Sequence, residues 1–245
     1  MKVPKHSFHC FLMWMRRNCL IMIFILAACQ QDMLMQSSAE VSITPAAILP
    51  SEKLPPPRLQ GTVSLEETLV KRRSVRNFSD QPLTMEEVGQ LLWAAQGVTS
   101  PQGFRTAPSA GALYPLEIYV VTDDGVFRYL PSDHQITLQK EGNVRTELYE
   151  AALSQSAVQD APAVFVITAV YERTVKKYGE ARSPRYVHLE AGHAAQNLLL
   201  QATALELGAV PIGAFDDDRV NEIMGLPGEE QPLYLIPVGH PQAQE

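Results

Sequence analysis

At 245 residues, 46% of them hydrophobic and 19% charged, the chain carries enough apolar material for one sizeable core or at most two small ones. Its 20 lysines and arginines stand against 27 acids, a net charge of −7, and so acidic a body repels phosphate backbones, which argues against nucleic acid as a partner. The three cysteines, Cys10, Cys19 and Cys29, all precede residue 30, so the rest of the chain has no thiol for disulfides, thiolate metal centres or a cysteine nucleophile.

The N-terminus reads as an address. In "MRRNCLIMIFILAAC", residues 15 to 29, two arginines precede an uncharged run from Asn18 to Ala28 and then small residues before Cys29. At about 1.5 Å per helical residue that run falls short of a hydrocarbon core of roughly 30 Å, which makes it a signal peptide by length. "LAAC" resembles the bacterial lipoprotein box, in which the signal (residues 1–28) is removed and the cysteine acylated. Cys29 is therefore the expected lipidation site and the membrane anchor. An ordinary secretory signal is the alternative. Translation from Met13 or Met15 would give a more usual leader, and Gln30 after the cysteine implies sorting to the outer membrane where a cell has one. Residues 29–60, rich in Gln, Ser and Pro, are expected to form a tether, stiffened by Pro55–Pro57. The folded domain is expected over 61–245.

Ser64 with Glu67 and Thr84 with Glu87 are capping-box patterns that predict two helix starts. The second helix has Val88, Leu91, Leu92 and Ala95 on one face and stops at Gly97. "LEIYVVT" (116–122), "AVFVITAV" (163–170) and "PLYLIPVG" (232–239) predict strands, the middle one buried on both faces. Residues 185–207 form the longest helical pattern, with Val187, Ala191, Ala194, Leu198, Ala202 and Leu205 along one face. This order predicts an α+β domain without strict alternation. There is no internal repeat and no GxGxxG.

Candidate chemistry lies in few places. "KRRSVRNF" (71–78) sets four cations, Lys71, Arg72, Arg73 and Arg76, around Ser74. Such a group suits a phosphate, because guanidinium forks make bidentate, charge-assisted bonds to its oxygens. A solvated helix end, where cations complement the macrodipole, accounts for the pattern equally well. "RTAPSAGALYPLEIYVV" (105–121) opens on small residues. "APSAG" approaches a nucleophile elbow at Ser109, but Ala107 replaces the first glycine and a strand follows where an elbow leads into a helix. Close backbone approach to a flat ligand fits Ser109–Ala112 better, with a plain tight turn as the alternative. His188 and His193, five residues apart, do not share a helix face as a metal pair would, and "FDDDRV" (215–220) reads as an acidic helix start rather than a cation site. With no thiol, metal constellation or triad, demanding chemistry here calls for an organic cofactor.

The segments "RRSVRNFSDQPLTMEEVGQLLWAAQG", "RTAPSAGALYPLEIYVV", "KKYGEARSPRYVHLEAGHAAQNLLLQA" and "LGAVPIGAFDDDRVNEIMGLP", in this order, resemble the nitroreductase superfamily, and more closely its SagB/ThcOx-type dehydrogenase branch, which includes azoline oxidases of peptide maturation. The similarity spans roughly residues 54 to 241. It implies a nitroreductase-like α+β fold, an antiparallel-rich central sheet flanked by helices, in a homodimer that binds FMN at the interface. By motif position, Arg72, Arg73, Ser74 and Arg76 would hold the phosphate and ribitol. Pro108, Ser109, Ala110, Gly111 and Ala112, given by the other subunit, would run along the isoalloxazine. Pro211, Ile212, Gly213 and Ala214 would lie by the opposite ring face or its N5 edge. The chain departs from nitroreductases proper where Gly213 and Ala214 replace an acidic residue and a glycine, and where Ala112 replaces an asparagine. Lys177 and Tyr178 match a Lys-Tyr pair associated with catalysis in the azoline-oxidising branch, and either could serve as general base while hydride passes to flavin N5. An exposed polar loop is the alternative for "KKYG".

The reaction implied is an FMN-dependent oxidation of a small-molecule or peptide substrate. Outside the cytoplasm no sizeable nicotinamide pool is expected, so electrons would pass on to a quinone, a protein or oxygen. An NAD(P)H-dependent nitro, quinone or flavin reductase is the second reading, and a lipoprotein that keeps the fold only for binding or assembly is the third. No metal and no nucleic acid enter any of them.

Overall fold

The computed structural model describes residues 51–242; the signal segment, Cys29 and the tether before Ser51 lie outside the described residues. In chain order the elements are β1 (Ser51–Lys53), α1 (Leu65–Lys71), α2 (Met85–Gln96), β2 (Leu116–Val121), β3 (Gly125–Leu130), β4 (Gln135–Glu141), α3 (Arg145–Ala151), α4 (Ser156–Asp160), β5 (Ala163–Val170), α5 (Glu172–Tyr178), α6 (Ser183–Ala204), β6 (Gly208–Ala209), α7 (Asp217–Met224) and β7 (Glu230–Gly239). The strands form one sheet of order β1-β4-β3-β2-β5-β7-β6, antiparallel in every pairing.

Strand alternation sorts the sheet into two faces. Leu116, Ile118 and Val120 of β2 and Phe165, Ile167 and Ala169 of β5 join Leu91, Leu92, Val187, Ala194 and Leu198 of α2 and α6 in one core. Tyr119, Val121, Val164 and Val166 point the other way, into a second core closed by Leu148, Val158, Val220 and Met224 of α3, α4 and α7. Helices thus cover both faces, which is why β5 reads as an unbroken apolar run. The sequence patterns locate the central elements to within a few residues. At Thr84 the complete capping box is present, at Ser64 the hydroxyl accepts from Glu67 N–H at 3.1 Å, and Asp216 caps α7 by accepting from Arg219 N–H at 3.1 Å, the capping role expected of the "FDDDRV" acids.

The expected tether ends earlier than Gln60. Ser51–Lys53 pairs with β4, Leu54 is buried, His134 Nε2 lies 2.8 Å from the Pro55 carbonyl oxygen and Arg58 N–H donates to Gln90 Oε1 at 2.8 Å. The free edge of β4 and one apolar contact capture a segment whose composition alone reads as linker. Pro55–Pro57 therefore runs over the domain instead of ahead of it.

Candidate active site

The cationic segment leaves α1 and is fixed against β6. Ser74 forms a parallel bridge with Ala209, and Val75 N–H donates to the Ala209 carbonyl at 3.0 Å. Gly208 permits this approach, because a Cβ there would meet Val75 Cγ1 at 2.6 Å. Lys71 is engaged by Glu67 in an i,i+4 pair. Arg72, Arg73 and Arg76 make no ion pair among the described residues; Arg73 donates to the carbonyls of Val70 and Arg72 at 2.9 and 2.7 Å. Ser74, Arg73 and Arg76 are exposed and Arg72 half-buried.

From Ala209 the chain runs antiparallel beside β7, with Ile212 bridged to Leu235. Pro211 is half-buried and Ile212 buried, while Gly213 and Ala214 are exposed. No atom lies within 4 Å of where a Gly213 Cβ would stand, and Gln155 Nε2 holds the Ala214 carbonyl at 3.0 Å. Four arginine and serine side chains and a bare stretch of backbone therefore share one sheet edge.

The small-residue loop lies elsewhere. Ala110–Ala112 is a short 3-10 turn, and Gly111, Ala112 and Tyr114 have φ of 64°, 54° and 46°. The last two are left-handed alanine and tyrosine, a conformation that costs roughly 1–2 kcal/mol per L-residue and persists only where surroundings enforce it. The enforcers are visible. Ser109 Oγ accepts from Tyr114 N–H at 2.9 Å, Arg173 donates to the Tyr114 carbonyl at 2.9 Å, Tyr114 Oη accepts from Arg105 N–H at 3.2 Å, and the Arg105 guanidinium lies 4.5 Å from the Tyr114 ring centroid. Asn197 of α6 holds the Thr106 carbonyl. Ser109 is thus a clip for its own loop, and the chain continues into a strand, so no nucleophile elbow exists here.

Lys177 and Tyr178 end α5 rather than lying in an exposed loop, and the loop packs on them. A Cβ on Gly111 would stand 2.6 Å from Lys177 Nζ and 2.9 Å from Tyr178 Oη. Tyr178 also packs on Tyr186 with ring centroids 4.7 Å apart. Of the expected site residues, Pro108–Ala112, Lys177 and Tyr178 form one group, and Arg72, Arg73, Ser74, Arg76 and Pro211–Ala214 form another. Sheet register separates them. Ala209 sits opposite Val238, which pairs with Ala163 of β5, whereas Leu116, at the exit of the loop, pairs with Ala169. For the cationic segment, which meets the edge at Ala209, that is six residues along the strand, about 20 Å. Ile212 is bridged to Leu235, which pairs with Val166, so Pro211–Ala214 lies only about three residues, roughly 10 Å, from the level of Ala169.

One residue of this region had not been expected from its motif. Glu190 of α6 is 2% exposed, beneath the loop. Burial pushes its carboxyl up to about 7, against the opposing pull of the Ser109 hydroxyl, the Gln96 carboxamide and the Arg105 charge. Gln96 Nε2 donates to it at 3.4 Å, and Arg105 Nη1 donates to the same Gln96 through Oε1 at 3.1 Å. The sequence signal was present: Glu190 falls between Val187 and Ala191 on the apolar stripe of α6, where an unpaired acid does not belong. The histidines of α6 go separate ways, His188 to Tyr171 Oη at 2.7 Å and His193 to solvent.

Comparison with known proteins adds four findings. A family model described as Nitroreductase family matches residues 69–240. A Methanocaldococcus jannaschii protein whose name places it among the nitroreductases is 49% identical over 183 residues, covering 72% of this chain and 91% of that one. Among solved structures, a Ralstonia eutropha protein described in the same terms superposes with a TM-score of 0.71 at 30% identity, over 81% of this chain and 93% of its own. The NADPH:FMN oxidoreductase of Vibrio harveyi, solved with NAD+, gives a TM-score of 0.56 at 26% identity, over 73% of this chain and 69% of its own.

Proposed function

The chain belongs to the nitroreductase family, and from that premise we propose that it is an FMN-dependent dehydrogenase of the SagB/ThcOx type, oxidising a small-molecule or peptide substrate. The observation that carries the cofactor assignment is the sheet edge on which Arg72, Arg73 and Arg76, without acidic partners among the described residues, flank Ser74 where it bridges Ala209, with the exposed backbone of Gly213 and Ala214 further along the same chain. Three guanidiniums and a hydroxyl suit a phosphate and a polyol, and unencumbered backbone suits a flat ring.

When bound, FMN would supply a two-electron acceptor for hydride. Arg72, Arg73, Ser74 and Arg76 would bind its phosphate and ribitol, and Pro211–Ala214 would border the ring. Pro108–Ala112 would form the shelf along the ring, with Lys177 or Tyr178 accepting the proton that leaves the substrate. Because Gly111 packs on Lys177 and Tyr178 of its own chain, whichever subunit gives the shelf also gives the base. The distance of about 20 Å along the strands between the Arg72–Arg76 segment and the Pro108–Ala112 loop within one chain supports a homodimer in which each site draws on both subunits. So does the exposed apolar run Leu65, Leu69 and Val70 on α1. The lipid anchor at Cys29 and an envelope location complete the proposal.

The test is spectroscopic. Purified full chain titrated with FMN should turn yellow, quench flavin fluorescence and sediment as a dimer. Absence of any binding at micromolar FMN refutes the cofactor reading. K177A/Y178F should retain FMN yet lose substrate-dependent flavin reduction; undiminished reduction removes the pair from the mechanism.

A second reading, an NADPH-driven flavin or nitro reductase, is favoured by the name of the Vibrio harveyi enzyme. Rapid bleaching of the bound flavin by NADPH would select it, and a flavin inert to nicotinamides would select the dehydrogenase.

A further inference from the structure

We propose that Glu190 is a positioning residue that couples the Pro108–Tyr114 loop to pH: the loop lies closed over the carboxyl when the carboxyl carries its proton and opens to hydrate it when the proton leaves. In consequence, and resting on the FMN reading above, the shelf for the flavin ring is better formed on the acid side of neutrality.

The geometry behind this is a buried acid under a thin cover. Glu190 is 2% exposed, walled by α2 through Gln96 and roofed by the loop through Ser109. Helix α2 is anchored in the core by Leu91, Leu92 and Ala95 and cannot yield. The roof can: Pro108, Gly111 and Ala112 are exposed, and Ala112 and Tyr114 are held at left-handed φ, so release of the loop relieves strain. Among the described residues, the one side-chain bond that closes within the roof runs from Tyr114 N–H to Ser109 Oγ; Arg105 and Arg173 hold it only at its Tyr114 end.

The charged neighbours do not neutralise the carboxylate. Arg105 faces Glu190 from the loop, but its guanidinium is committed to Gln96 Oε1 and the Tyr114 ring. Glu117 draws on Arg105 from β2, and Arg173 of α5 opposes it. On α6 itself Tyr186 and His193 stand one turn to either side, the latter exposed. Desolvation is the largest influence on Glu190, which raises its proton affinity in the closed state. Linkage fixes the sign: a group that binds its proton more tightly closed than open drives opening as pH rises through its closed-state value near 7.

Hydrogen exchange on the cofactor-free full chain reads this directly. After correction for intrinsic rates, protection of the Ala112 and Tyr114 amides, both bonded to Ser109, should fall about tenfold between pH 6 and pH 8 in the wild type. E190Q, a permanently neutral side chain, should keep the low-pH protection throughout. S109A, which removes a donor that favours the ionised form, should move the midpoint to higher pH, read at the Ala112 amide, whose acceptor is the Ser109 carbonyl, because the substitution deletes the acceptor of the Tyr114 amide. A flat wild-type profile, the same fall in E190Q, or an unmoved midpoint in S109A overturns the proposal, and S109A decides it should E190Q not fold. With FMN, the dissociation constant of the wild type relative to E190Q should rise over the same range by the factor by which the closed fraction falls; the phosphate ionisation near pH 6 affects both proteins alike. Failure of FMN to bind either protein at any pH would sink the cofactor reading and leave the exchange result standing.

Discussion

Gly111 and Lys177 approach so closely that a methyl group on the glycine would stand 2.6 Å from the lysine Nζ. The glycine also holds φ of 64°, so it answers two demands at once, a left-handed turn and an open space for the ammonium. G111A should lose roughly 1–2 kcal/mol from the left-handed backbone alone, read as a lower urea midpoint. The flexible lysine can swing aside, so the fold survives while the Lys177–Tyr178 pair is displaced. Substrate-dependent flavin reduction should therefore fall further than stability does. Wild-type reduction in a folded G111A would mean that the close contact is incidental.

The arginines offer a prediction with an internal control. Hydrogen bonds to charged groups are worth about 1.5–3 kcal/mol, so R72A or R76A should weaken FMN binding by roughly 10- to 100-fold. Riboflavin, which keeps the ribitol but lacks the phosphate, should lose much less than FMN on the same substitutions. Equal losses for both ligands in a fluorescence titration would show that these side chains act on the fold instead of on the phosphate. R73A is the less clean variant, since Arg73 also donates to the carbonyls of Val70 and Arg72 at the end of α1.

What could be read from the sequence follows from what each residue type requires locally. Thr84 and Glu87 state a helix start because the capping bonds close within four residues, and β5 states its double burial because it carries no polar alternation. The four cations around Ser74 were visible as a group, but whether they faced a ligand or merely solvent depended on the distant Gly208–Ala209 edge, to which no local pattern points. The tether boundary failed for the same reason, since Ser51–Lys53 is a strand only because β4 offers it an edge. Glu190 stood in plain view on an apolar helix stripe, yet its significance needed Ser109, Gln96 and Arg105 brought together across the fold. Strands β3 and β4 alternate weakly and have half-buried patterns, which is why composition did not reveal them.

Gly208 should be as sensitive as Gly111, for a different reason. Its φ is ordinary, but a Cβ there would press on Val75 at 2.6 and 2.8 Å, and a β-branched valine has few rotamers in which to retreat. G208A should cost about 1–3 kcal/mol by overpacking and, by pushing the 72–76 segment off β6, should weaken FMN more than riboflavin. Pairing it with V75A tests the cause: the smaller side chain removes Cγ1 and Cγ2, and the double variant should recover part of both losses. No recovery would show that the strand edge is disrupted by something other than this contact.

The stability of the whole domain should carry the signature of Glu190, with a sign that can be worked out in advance. Its carboxyl goes from 4.5 in an unfolded chain to about 7 in the folded one, chiefly through burial. Between those values the native state holds the proton more tightly, so unfolding free energy declines as pH climbs from about 4.5 to 7 and levels off above. The separation caps this loss at roughly 3 kcal/mol. Glu230, buried beside Tyr119 and Thr168, is shifted in the same direction by desolvation, so the total profile of the wild type belongs to neither acid alone. The difference between wild type and E190Q isolates the contribution. Urea unfolding from pH 5 to pH 8 should show E190Q gaining on the wild type as pH rises, with the gap widest above neutrality. A gap independent of pH would mean that Glu190 is ionised throughout, and that its buried charge is compensated more fully than one shared arginine and a 3.4 Å amide contact account for.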